Sequence, residues 1–112
     1  MKLFKWNTGR QNTGYKIFPF YMSTHFDLYI IKGTNIPEHK DPIYGRKHYR
    51  LNYIFWNTAI GGNFNCNDMI FESKRIKFFR PDINFHSVDE IYSGTRLVLS
   101  IGYSIINNDK EK

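Results

Sequence analysis

Apolar and polar positions alternate along most of this chain with a period of two, the spacing of strands rather than helices. HYRLNYIFWN (48–57) carries the strongest pattern, dense in aromatic and branched side chains. As a strand it puts Tyr49, Leu51, Tyr53 and Phe55 on one face and His48, Arg50, Asn52, Ile54 and Trp56 on the other. HFDLYIIKG (25–33) alternates and then turns apolar, and YKIFPFYM (15–22), interrupted by Pro19, suits a sheet edge. The paired glycines of IGGNF (60–64) permit a sharp turn. DMIFES (68–73) and RIKFFRP (75–81) predict two short strands. FHSVDEIYSGTRLVLSIGYSII (85–106) predicts a strand, a turn at Ser93–Gly94 and a long last strand. The polar tail (107–112) is expected to fray. No stretch has the periodicity of a three-turn amphipathic helix, and no repeat or linker interrupts the chain.

Short strands separated by turn residues predict an all-β fold. An antiparallel double-sheet jelly roll fits best, with an SH3-like or OB-type barrel as the alternative on pattern alone. Residues 1–112 suit a single domain. At this size the core is modest, and the 18% aromatic share helps to fill it. A single cysteine, Cys66, excludes an intrachain disulfide and a cysteine-based zinc motif. No run approaches the ~18 apolar residues of a membrane span, and the first residues hold no signal-peptide core. The expectation is a cytoplasmic protein. A formal charge of +6 suits an acidic partner: nucleic acid, an anionic cofactor or an acidic protein surface.

The candidate chemistry begins in GTNIPEHKDPIYG (33–45). If the segment is extended, His39 and Asp41 point the same way with Cα atoms roughly 7 Å apart, and can converge on one ion. Pro37 and Pro42 hold the segment out of a helix. His86, opening HSVDEI, supplies a third ligand. Two imidazoles and one carboxylate suit a facial metal triad with open positions, as for Fe(II), although zinc accepts the same side chains. Arg96 follows ten residues later, across the YSGT turn. A hairpin of 86–91 with 95–103 would return its guanidinium beside the metal, where it can grip a carboxylate through two parallel hydrogen bonds.

Gly33, the His39-Lys40-Asp41 triplet, the Gly-Gly turn, FFRPDINFHSV and YSGTRLVLSIGY resemble, in order and spacing, the iron- and 2-oxoglutarate-dependent dioxygenase superfamily. The prolyl-hydroxylase-like and AlkB-like branches are the nearest in pattern, and the likeness covers about residues 25–104. The resemblance implies a minimal, cupin-like double-stranded β-helix with little helical support. It implies His39, Asp41 and His86 as the ligands of Fe(II), and Arg96 as the partner of the far carboxylate of 2-oxoglutarate. It also implies O2 as oxidant, ascorbate as auxiliary reductant, and hydroxylation of a C–H bond. The family tyrosine that touches the cosubstrate falls at Ile30, so Tyr29 is one place off and serves only if a bulge intervenes. Tyr49 and Asn52 are further candidates on opposite faces of one strand, and Ser100 shares the face of Arg96.

The resemblance favours a protein or peptide substrate. Nucleic acid comes second: GRKHYR (45–50) and ESKRIKFFR (72–80) suit phosphates, and Phe78, Phe79 and Tyr49 suit base stacking. A non-catalytic jelly-roll module, a small nucleic-acid-binding barrel and a cupin-type zinc or manganese enzyme are the competing readings. Members of the superfamily carry helices ahead of the core that brace the major sheet, and about two dozen residues precede it here. A homodimer or a partner complex covering that sheet is therefore expected.

Overall fold

The computed structural model describes residues 2–9, 15–33 and 35–107. Among them the chain is all-β, with antiparallel sheets and no helix. No helix long and apolar enough to cross a membrane is therefore present among the described residues. The strands are β1 (Asn7–Thr8), β2 (Lys16–Met22), β3 (Phe26–Lys32), β4 (Ile36–His39), β5 (Arg46–Asn57) and β6 (Ile60–Gly61). They continue with β7 (Phe64–Cys66), β8 (Phe71–Glu72), β9 (Ile76–Phe79), β10 (His86–Val88), β11 (Ile91–Ser93) and β12 (Arg96–Ile106). A large sheet runs β1-β2-β3-β12-β5-β9-β8, a small one β4-β10-β7, and β11 pairs with β6. A cavity of about 680 Å³ lies between the large sheet and the β4-β10-β7 sheet, lined from both.

The two longest strands, β5 and β12, form the spine of the large sheet. Along β12 burial alternates strictly: Arg96, Val98, Ser100, Gly102 and Ser104 are buried and the residues between them less so. β5 answers with His48, Arg50, Asn52 and Ile54 buried. Two irregularities bend this regularity. Between Leu97 and Val98 the partner in β5 jumps from Trp56 to Ile54, so Phe55 is the extra residue of a bulge. Trp56 is thereby set opposite the outward Leu97 and is 55% exposed, against the expectation that it shares the face of Asn52. In β2 the register with β3 shifts between Pro19 and Tyr21. Pro19 sits fully buried at this shift, one strand in from the edge, where β1 caps the sheet.

A second expectation fails. Residues 86–91 and 95–103 do not form a hairpin: β10 belongs to the small sheet, β12 to the large one, and β11 pairs with β6. The chain turns at Gly94, whose φ of 80° is the left-handed region glycine tolerates. A Cβ there would also lie 2.2 Å from the Thr58 carbonyl oxygen. Arg96 thus reaches the cavity from the opposite layer to His86. The expected fray at 107–112 lies outside the described residues apart from Asn107, which donates its N–H to the Gly45 carbonyl.

Candidate metal centre and polar cavity

β4 and β10 pair so that His39 and His86 are cross-strand neighbours, with ring centroids 4.3 Å apart. Asp41 lies just beyond the end of β4, its N–H held by the Pro81 carbonyl at 2.8 Å. This brings Asp41 Oδ2 to 3.4 Å from His39 Nε2 and 3.2 Å from His86 Nε2. The three ligand atoms lie within 4.8 Å of one another. Behind His86 stands Phe79, 1% exposed, with its centroid 5.2 Å from the imidazole.

The other nitrogen of each ring is fixed by the backbone. His39 Nδ1 donates to the Pro37 carbonyl at 2.6 Å, and His86 Nδ1 donates to the Asn84 carbonyl at 3.0 Å. A carbonyl oxygen only accepts, so each Nδ1 carries the hydrogen and each neutral ring turns the lone pair of Nε2 inward. Three acceptors then face one another with no donor between them. That donor set fits a divalent cation, or protons in its place. The electrostatics agree. The bond to Asp41 raises the His39 pKa above its ordinary value against the effect of burial. Burial would raise the Asp41 carboxyl, but His39 and His86 outweigh it and hold the group well below the usual carboxylate range. Cys66 neighbours His86 in β7, yet its thiol donates to the Asp68 carbonyl and burial pushes its pKa up, so it stays outside the triad.

Arg96 lines the same cavity and is 7% exposed. No acid faces it among the described residues, and burial pushes its pKa down. Tyr29 faces the cavity with Arg96 and Asn52, while Ile30 points to the other side of the sheet; the Pro19/Tyr21 irregularity lies beside it in β2. Asn52 lines the cavity too, whereas Tyr49 is on the outer face, stacked on Tyr103 at 5.3 Å. Ser100 shares the inward side but stands behind the wall: it is wholly buried, accepts from Arg50 Nη1 at 2.7 Å and donates to Asn52 Oδ1 at 2.6 Å.

Several members of the basic runs are engaged within the fold, whereas Lys74 and Arg75 are exposed. Arg50, 7% exposed, pairs with Asp27, its Nη2 lying 2.9 Å from Oδ1 and donating to Oδ2 at 3.0 Å. It also lies over the Tyr29 ring. Gly102 makes room for the pair, since a Cβ there would fall 2.3 Å from Arg50 Nη2 and 2.8 Å from Asp27 Oδ1. His48 links this pair to the triad: Nδ1 donates to the Asp41 carbonyl at 3.1 Å, and Nε2 accepts from Arg50 Nη2 at 3.2 Å. Arg46 donates to Ser104, Arg80 pairs with Asp82, and Lys77 pairs with Glu72. Phe79 is core, so it offers no face to a base. The Asp27–Arg50–His48 chain went unread in the sequence, although Arg50 shares a strand face with His48 and Asn52 by simple alternation.

No family model and no curated protein matches this chain. Among solved structures, a chain in the crystal structure of Rhodobacter sphaeroides SigE in complex with the anti-sigma ChrR is similar, with a TM-score of 0.54 at 15% identity. The match covers 87% of this chain and 48% of that one, so this chain spans about half the length of its structural neighbour. The likeness is one of fold.

Proposed function

We propose that this chain is a minimal double-stranded β-helix that binds a divalent metal and a small dicarboxylate oxo-acid, as an Fe(II)- and 2-oxoglutarate-dependent hydroxylase. The strand orders β3-β12-β5-β9 and β4-β10-β7, facing each other across a cavity, support the fold reading. The observation that carries the function is the convergence of three inward acceptors from His39, Asp41 and His86 with both Nδ1 atoms pinned. In this reading those side chains hold Fe(II) and leave coordination positions free. Iron with 2-oxoglutarate and O2 supplies oxidative decarboxylation coupled to hydroxylation of a C–H bond. The protein's part is ligation, orientation and shielding. Arg96, a buried cation facing no acid among the described residues, takes the far carboxylate. Tyr29 and Asn52 flank the path between them. The basic net charge suits such an anion as well as nucleic acid, and the pairing of Arg50 with Asp27 and Arg80 with Asp82 favours the anion. A protein or peptide side chain is the substrate class ranked first.

Titration calorimetry of 2-oxoglutarate with Mn(II) in place of iron tests the site, and succinate release with Fe(II), O2 and ascorbate tests the reaction. Metal-dependent 2-oxoglutarate binding and succinate are expected; absence of both removes the proposal. A non-catalytic metal-binding module is the second reading. The fold likeness to a chain from a sigma–anti-sigma complex favours it, and metal binding without succinate would select it.

A further inference from the structure

The outer face of the large sheet is apolar in three transverse rows. Phe26, Tyr103 and Tyr49 form the first. Tyr21, Leu28, Ile101, Leu51, Phe78 and Phe71 form the second, one residue from each of six adjacent strands. Phe18, Ile30, Leu99, Tyr53 and Ile76 form the third. Among the described residues one charge reaches them, the Arg80 guanidinium over the Tyr49 ring at the end of the first row, and it is paired with Asp82. Tyr21, Phe26, Tyr53, Phe71 and Tyr103 are each 40–54% exposed. Among the described residues Phe4 and Trp6 pack on this face at the Phe18–Phe20 margin, and Arg80 at the Tyr49 end.

We infer that a second copy of this chain covers this face, the two sheets packing front to front as a symmetric dimer. Strand geometry decides the area. The rows hold three, six and five positions, and with strands about 4.8 Å apart and rows about 6.8 Å apart these span roughly 460 Å². That lies within the range of the largest apolar patches on monomers, and the outward Leu97, Trp56 and Ile105 at its rim extend it toward the ~800 Å² that a stable interface takes from each partner. The patch suits its own kind. Its one charged group, Arg80, is already paired with Asp82, so the patch buries no unpaired ion when set against an identical face, and sheets pack about 10 Å apart with strands nearly aligned. Lys16 and Lys32 stand opposite each other just beyond the third row, and Lys47 flanks the first, so the charges fall at the ends of the interface. The association is therefore driven by apolar burial and opposed by these lysines. The dimer does not depend on the metal reading.

Light scattering and sedimentation of the whole chain at about 1–100 µM test this. The expected species has twice the 13.4 kDa chain mass, and its Kd tightens as salt is raised and the lysine ends are screened. Leu51→Glu, at the centre, and Tyr53→Glu, at a more exposed position, are each expected to weaken the Kd at least about tenfold. Tyr44→Glu, fully exposed and off this face, leaves it unchanged. Circular dichroism and Mn(II) binding report whether the variants fold. If Leu51→Glu fails to fold, Tyr53→Glu decides. A chain still monomeric at about 100 µM assigns the face to a different protein and overturns the inference. So does a dimer that folded Tyr53→Glu leaves intact, or one that loosens with added salt.

Discussion

The two faces of the large sheet invert the usual arrangement. The face turned toward the other layer carries Asp27, Tyr29, His48, Arg50, Asn52, Arg96 and Ser100 beside a small apolar core of Ile17, Ile31, Ile54, Val98 and Phe79; the face turned away carries mostly leucine, isoleucine and aromatic rings. A sheet that only needed to fold would do the opposite, since burying a charge costs several kcal/mol unless it is paired. Most of the inward charge is paired, through Asp27 to Arg50 and on to His48. Arg96 is the exception, facing no acid among the described residues. The proposed ligand and the proposed second copy would each account for one face, and stability comes from the long β5–β12 ladder and the rings around Phe79.

Substitutions can break this contrast. The largest effect is expected from the triad: Asp41→Ala or His86→Ala should weaken Mn(II) at least about 100-fold by calorimetry, more than loss of a supporting residue costs, and abolish succinate release. Next comes Asp27→Leu, which strands the Arg50 guanidinium in the interior. It should lower unfolding free energy by about 3 kcal/mol in a urea titration, whereas Ile105→Ala on the outer side should cost under about 1 kcal/mol. Arg96→Met sharpens the contrast by separating binding from folding. It should weaken 2-oxoglutarate at least about tenfold while leaving stability unchanged or higher by about 1 kcal/mol, because a buried charge facing no acid is removed.

The smallest effect is on pH dependence without metal. His39 has a raised pKa, so its stabilisation is complete below the ordinary imidazole value of 6.5 and is lost as pH rises through the folded value. Asp41 has a lowered pKa, so its stabilisation is present above 3.8 and is lost as pH falls further. Thermal melts of the chelated protein should be highest between these limits. Added Mn(II) should move the optimum upward, since the metal displaces the protons that hold the ligands together.

Much of this was legible in the chain. Strand positions followed from period-two alternation, and His39, Asp41, His86 and Arg96 from their order. What the alternation could not show was the bulge at Phe55, which turned Trp56 outward, because an extra residue leaves the local pattern unchanged. Nor could it show which layer β10 and β12 join, a matter of long-range pairing. Arg50 was hidden by its company: in GRKHYR it looks like part of a solvated basic run, and only the absent side chain of Gly102, half the chain away, makes space for it. Ser100 was placed on the correct face but one layer too far forward.

The pairing of His39 with His86 has a mechanical meaning. β4, β10 and β7 contribute only four, three and three residues, a sheet with few ladder bonds to resist thermal opening. An ion gripped by both imidazoles would rivet two of those strands together across their ladder. Loading the centre would then slow amide exchange in 36–39 and 86–88 while the β5–β12 spine stays as it was, so that occupancy is felt first as rigidity of the lesser layer.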